Sequence, residues 1–136
     1  MKKLIKEIKK HEGFRSRVYD DSLGISTIGI GFAIKDLKLD EDLADIILER
    51  KLIALIKKAN DKFDWLKVMP EPVQNVIYNM IYQLGLNGFS KFKKTIEHLE
   101  AERFDKASAE MLDSLWAKQT PNRAIELSNI IKGQNW

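Results

Sequence analysis

The chain reads as an α+β domain, mostly α, with a small β-hairpin lobe and a larger helical lobe. Three observations predict this. An amphipathic helical start runs into a stretch that alternates like a hairpin (His11 to Phe32, HEGFRSRVYDDSLGISTIGIGF). A long helical segment from Asp40 to about Ala59 carries apolar residues on more than one side, as a helix touching two lobes in turn would. The cleanest helical period of the chain follows, with Val73, Val76, Ile77, Met80, Ile81 and Leu84 on one face.

In order, Leu4, Ile5 and Ile8 form a narrow apolar stripe with lysines on the other faces, and Gly13 is the expected helix stop. Arg15 to Asp20 predicts a strand, Asp21-Ser22-Leu23-Gly24 a turn, and Ile25 to Phe32 a second strand. Alternation along that second strand places Thr27, Gly29 and Gly31 on one nearly bare face, where a ligand or a packed helix approaches. Asp40 is the expected N-cap of the long helix, with acids in its first turn. Prolines 70 and 72 mark a break. Val73 to Leu84 is then the buried centre of the larger lobe, with Asn75, Asn79, Tyr82 and Gln83 on another face, planar amides and a ring suited to a sugar. Helices are expected over Ser90–Leu99 and Phe104–Leu112, around Trp116, and after Thr120 as N-cap with Pro121 at N1. There is no internal repeat.

At 136 residues the chain is long enough to bury a core without a staple. It has no cysteine, which excludes disulfides and thiolate chemistry. His11 and His98 are far apart, so a protein-built metal site is not expected, and no cofactor is implied. The formal charge of +3, from 23 basic and 20 acidic residues, suits an anionic surface or polymer but not a dedicated nucleic-acid binder. No apolar run reaches membrane-spanning length. Lysines and Glu7 interrupt any signal-peptide core in Met1 to Lys10, so synthesis and folding in the cytoplasm are expected.

Glu12 is out of place. An acid in the last turn faces the negative end of the helix dipole, which opposes its ionisation as a proton donor requires. Residues that break a local rule are candidates for function. Taken alone, Glu12 fits an ordinary surface glutamate better. Asp21 in a turn and Thr27 in a strand are each unremarkable, and Gly29-x-Gly31 lacks the third glycine of a dinucleotide fingerprint. The lysines of the first helix read as a solvated face.

Together, Glu12-Gly13, Asp21, and the run Thr27-Ile28-Gly29-Ile30-Gly31 resemble the active-site signature of phage-type lysozymes, the endolysins or muramidases that cleave bacterial peptidoglycan. Three further blocks resemble that family in the same order: Asn79 to Gly85, Gly88 to Phe92, and Trp116 to Ala124. The resemblance implies a single lysozyme-like catalytic domain over 1–136, with the active-site cleft between its lobes. The small lobe would span about 13–55, and the helical lobe about 1–12 and 56–136. It implies Glu12 as general acid, Asp21 as second carboxylate, and Thr27 as the residue that helps place the attacking water. Arg123 matches the arginine that pairs with the catalytic glutamate; its part is orientation, since a neighbouring cation does not favour a proton donor. Gly31, Ala33, Asn79, Tyr82, Gln83 and Thr95 are the implied substrate contacts. Two departures stand out. Phe32 replaces a frequent histidine, and the short segment from Phe32 to Asp40 predicts a small lobe trimmed to a bare hairpin.

The implied reaction is hydrolysis of the β-1,4 bond between N-acetylmuramic acid and N-acetylglucosamine by single displacement, for bacterial host-cell lysis. A lytic transglycosylase needs only the acid and leaves anhydro ends. A non-catalytic wall- or membrane-active basic module would work through the lysines alone. The resemblance further implies a monomer without stable membrane insertion. It would wait in the host cytoplasm and reach the periplasmic wall through a holin if phage-encoded.

Overall fold

The computed structural model describes all residues, 1–136, as two compact units, Met1–Asp45 and Ile46–Trp136. This partition differs from the expected lobes: the first helix groups with the sheet, and the boundary falls earlier, inside the long helix.

In the first unit, α1 (Lys2–Glu12) has no buried residue and ends at Gly13, whose N–H donates to Lys9 O at 2.9 Å. Gly13 has φ 71° but an extended ψ of −176°, so it ends the helix by turning the chain out rather than by closing a left-handed cap. The antiparallel sheet has the order β1 (Arg15–Asp20), β2 (Ser26–Gly29), β3 (Phe32–Ala33). Tyr19 and Ala33 flank Thr27 on its two sides, and the β1–β2 register shifts between Arg15 and Tyr19.

The second strand is therefore not continuous to Phe32. Gly29 (φ 71°) and Gly31 (φ 69°) fold the run into a tight turn that ends β2 and returns as β3. Positive φ at both ends of that turn is open to glycine at little cost and strained for other residues. The lobe is also more than a bare hairpin: besides β3 it holds a 3-10 turn, Ile34–Asp36, that packs on β2.

α2 (Glu41–Lys62) opens as expected, with Asp40 Oδ1 accepting from Leu43 N–H at 2.9 Å, and it extends three residues past Ala59. A 3-10 segment, Asp64–Val68, carries the break. α3 (Glu71–Ser90) buries Val73, Val76, Ile77, Met80 and Ile81, with Leu84 partly buried, and kinks at Gly85 (φ 76°, ψ 162°). α4 (Lys93–Glu100) starts later than expected, because Ser90 finishes α3 and donates its hydroxyl to Leu86 O at 2.6 Å. Then come α5 (Phe104–Leu112), α6 (Leu115–Gln119) and α7 (Pro121–Gly133). Pro121 does stand at N1, but Thr120 does not cap α7 with its side chain. Its hydroxyl turns back to Trp116 O at 3.0 Å.

The core of the second unit runs through Leu66, Ile77, Phe89, Leu99, Met111 and Ile131. Two polar ties cross it: Tyr78 Oη donates to Asn60 Oδ1 at 2.9 Å, and the buried Ser108 Oγ donates to Ser128 O at 2.9 Å, joining α5 to α7. No helix is long and apolar enough to cross a membrane.

Candidate active site

Thr27, at 4% exposure, is the one buried side chain of residues 1–45. Its hydroxyl donates to Ile25 O at 2.8 Å. Asp21 meets the same residue from the other direction. Its Oδ1 accepts from Ile25 N–H at 2.9 Å and from Leu23 N–H at 2.8 Å, and its own N–H donates to Ile25 O at 2.9 Å. The Ile25 backbone therefore braces Asp21 and Thr27 against one another. Gly24 N–H closes the turn on Asp21 O at 3.0 Å.

This arrangement assigns the remaining valences. Asp21 Oδ2 makes no hydrogen bond, while Oδ1 makes two. Thr27 has committed its only proton to a carbonyl, so its hydroxyl can only accept from a further partner. A free carboxylate oxygen and a pure acceptor, both fixed by one backbone unit, suit a water molecule better than a sugar hydroxyl.

Glu12 is exposed at the end of α1 and reaches the glycine turn. A Cβ added to Gly31 would lie 2.6 Å from Glu12 Oε2 and 3.0 Å from its Cδ. What approaches the bare position is thus the Glu12 carboxylate, the side chain of the last residue of helix α1. Gly29 is different: a Cβ there would meet the Phe32 ring at 2.8 Å. Glu12, Asp21, Thr27, Gly31 and Ala33 all belong to the first unit.

The remaining residues belong to the second unit. Arg123 Nε and Nη2 donate to Asn79 Oδ1 at 2.9 and 2.6 Å, and Nη2 also donates to Asn79 O at 3.2 Å, joining α7 to α3. Arg123, Asn79 and the half-exposed Tyr82 line a cavity of about 230 Å³ with Leu48 and Leu52 of α2. Gln83 Oε1 accepts from the Trp116 indole at 2.9 Å, leaving its NH2 free for a ligand. Thr95 is not among this group. It is 2% exposed and lines a separate cavity of about 410 Å³ with Lys91, Lys94, Glu110 and Asp113. No three His, Cys, Asp or Glu side chains converge to hold a metal ion.

Sequence reasoning missed Ile25, because a backbone donor and acceptor have no side-chain signature; the Asp-x-x-Gly turn was the available signal. It also missed Leu48 and Leu52 as cavity walls.

The phage lysozyme family matches residues 9–129 of this chain. A probable T4-type lysozyme 1 of Dictyostelium discoideum is 26% identical, with 94% of this chain and 93% of the relative covered. That alignment runs over 159 positions, longer than this 136-residue chain, so the relative has insertions that are missing here. A second, probable T4-type lysozyme 2 of the same organism is 28% identical, with 92% and 91% covered. The pre-baseplate central spike protein Gp5 of Enterobacteria phage T4 is 28% identical over 91% of this chain and 26% of its own length. The chain belongs to the phage lysozyme family, and is a lysozyme-type glycosidase acting on peptidoglycan.

Proposed function

We propose that the chain cleaves the β-1,4 bond between N-acetylmuramic acid and N-acetylglucosamine by single displacement, in the lysis of a bacterial host. Glu12 donates its proton to the glycosidic oxygen, and the bond from that oxygen to the anomeric carbon breaks. A water held by Thr27 Oγ1 and Asp21 Oδ2 attacks from the opposite face, and Asp21 takes the proton it releases. The new C–O bond forms with inverted configuration. The enzyme would be made in the host cytoplasm and act as a monomer on the periplasmic wall, with a holin opening the way if it is phage-encoded.

The observation that carries this reading is the Ile25 brace. It commits one oxygen of Asp21 and the proton of Thr27, and leaves two oxygens able only to accept, which supports a held water. NMR of products collected before mutarotation should show the α anomer first at the new reducing end; β first would overturn single displacement. In a zymogram on purified walls, Glu12→Gln should lose about 10²–10⁴ in clearing rate. Equal clearing by both proteins would remove Glu12 from its role. Fragments lighter by one water would identify a transglycosylase instead.

A further inference from the structure

The charge of this molecule is concentrated on one helix. Residues 1–12 hold five lysines against Glu7 and Glu12, a balance of +3 that equals the formal charge of the whole chain. Residues 13–136 are therefore neutral overall. At about 100° per residue, Lys2, Lys3, Lys6, Lys9 and Lys10 fall within an arc of about 120° that contains no acid. All five are exposed, and none forms a salt bridge. Leu4 and Ile8 lie on the opposite side of the helix.

Much of this face works against the helix that carries it, although Lys9 and Lys10 suit the negative end of its dipole. Lys2–Lys6 and Lys6–Lys10 are like charges at i,i+4, and Lys3–Lys6 and Lys6–Lys9 at i,i+3. Lys2 and Lys3 stand at the positive end of the helix dipole, in a first turn with neither an acid nor a side-chain cap. A bound anion would relieve all of these repulsions at once.

We propose that the lysine face of α1 docks the enzyme onto the insoluble wall polymer by binding the carboxylates of its stem peptides. This rests on the wall-hydrolase reading above. The charge is complementary, and the face leads directly to the proton donor: Lys9 and Lys10 occupy the last turn of an 11-residue helix, about 17 Å long, that ends at Glu12. The exposed Leu4, Ile5 and Ile8 on the other sides of α1 would also suit a lipid surface, so anionic vesicles enter the test as the competing outcome. A hydrated polyanion needs only the charged side.

The test compares Lys3→Gln/Lys6→Gln/Lys10→Gln with the parent, both in a Glu12→Gln background so that binding is read without digestion. The probe is purified sacculi freed of phosphate polymers. At about 20 mM salt the triple variant should bind roughly tenfold more weakly, and the two proteins should converge near 0.5 M, where the Debye length is only about 4 Å. Sacculi with methyl-esterified carboxylates should bind the parent as weakly as the variant. With Glu12 intact, clearing should differ at low salt and match at high salt. Equal pelleting of parent and variant at low salt, or indifference to esterification, would overturn the proposal. So would lysine-dependent binding to phosphatidylglycerol vesicles without lysine-dependent binding to sacculi. Failure of the hydrolase reading would appear separately, as no clearing at any salt by the unsubstituted chain.

Discussion

Replacing Gly31 by alanine separates the stability of the glycine turn from the position of Glu12, the proposed proton donor. Two costs arise. An L residue at φ 69° pays about 1–2 kcal/mol for its left-handed backbone. The new Cβ would also sit 2.6 Å from Glu12 Oε2, well inside ordinary contact. The carboxylate is the far end of an exposed, flexible side chain, so it can swing aside with little further loss of stability. It must move by close to 1 Å, however, and a misplacement of that size costs about 10²-fold in rate. Gly24→Ala is the control. Gly24 has nearly the same φ, 76°, and nothing within 4 Å of an added Cβ, so it imposes the backbone strain without touching Glu12. Thermal unfolding should show both variants lowered by similar amounts, about 3–8 °C. Turbidity clearing should fall about 10²-fold for Gly31→Ala and far less for Gly24→Ala. Parallel small losses in both variants would refute the argument that the glycine makes room for the acid.

Three other outcomes follow from the geometry. Asp21→Asn keeps an acceptor for Leu23 and Ile25 N–H, so it should lose clearing activity with little change in Tm; Asp21→Ala loses both bonds and about 1–3 kcal/mol as well, read by denaturant unfolding. Arg123→Ala removes three hydrogen bonds to Asn79 and should destabilise the helical unit by about 1–2 kcal/mol, whereas Arg123→Lys, which lacks the fork, should recover less than half of that. The Lys57 hydrogen bond and charge hold Asp61 below the ordinary carboxylate range, and Asp61 in turn raises Lys57. Any stability from this pair is therefore present at neutral pH. It is lost as acid protonates Asp61 and as alkali deprotonates Lys57. Both groups are fully exposed, so Asp61→Asn should leave Tm unchanged within error at pH 7.

Local patterns carried much of this protein. The β1 limits, the Asp21–Gly24 turn, the Asp40 cap, the buried face of α3 and the α5 limits follow from periods and turn chemistry over a few residues. Those signals act between near neighbours in the chain. Elsewhere such local rules had competitors. Thr120 has the right residue type for a cap, yet its side chain is turned to the Trp116 carbonyl and its oxygen accepts no N–H of α7. Glycines 29 and 31 keep strand alternation on paper, but their free backbones make a turn.

The sequence by itself determined which residue types were available: an acid at a helix end, an aspartate in a turn, a threonine two residues before the first of two spaced glycines, and a helix carrying all the net charge. Only the tertiary structure decided what those groups do to each other. Ile25 ties Asp21 to Thr27, Gly31 makes space for Glu12, Asn79 takes Arg123 and Gln83 takes Trp116, the last two across 44 and 33 residues. Such pairings depend on where separate elements come to lie. Hydrogen-bond valence is satisfied in space, and no period along the chain encodes it.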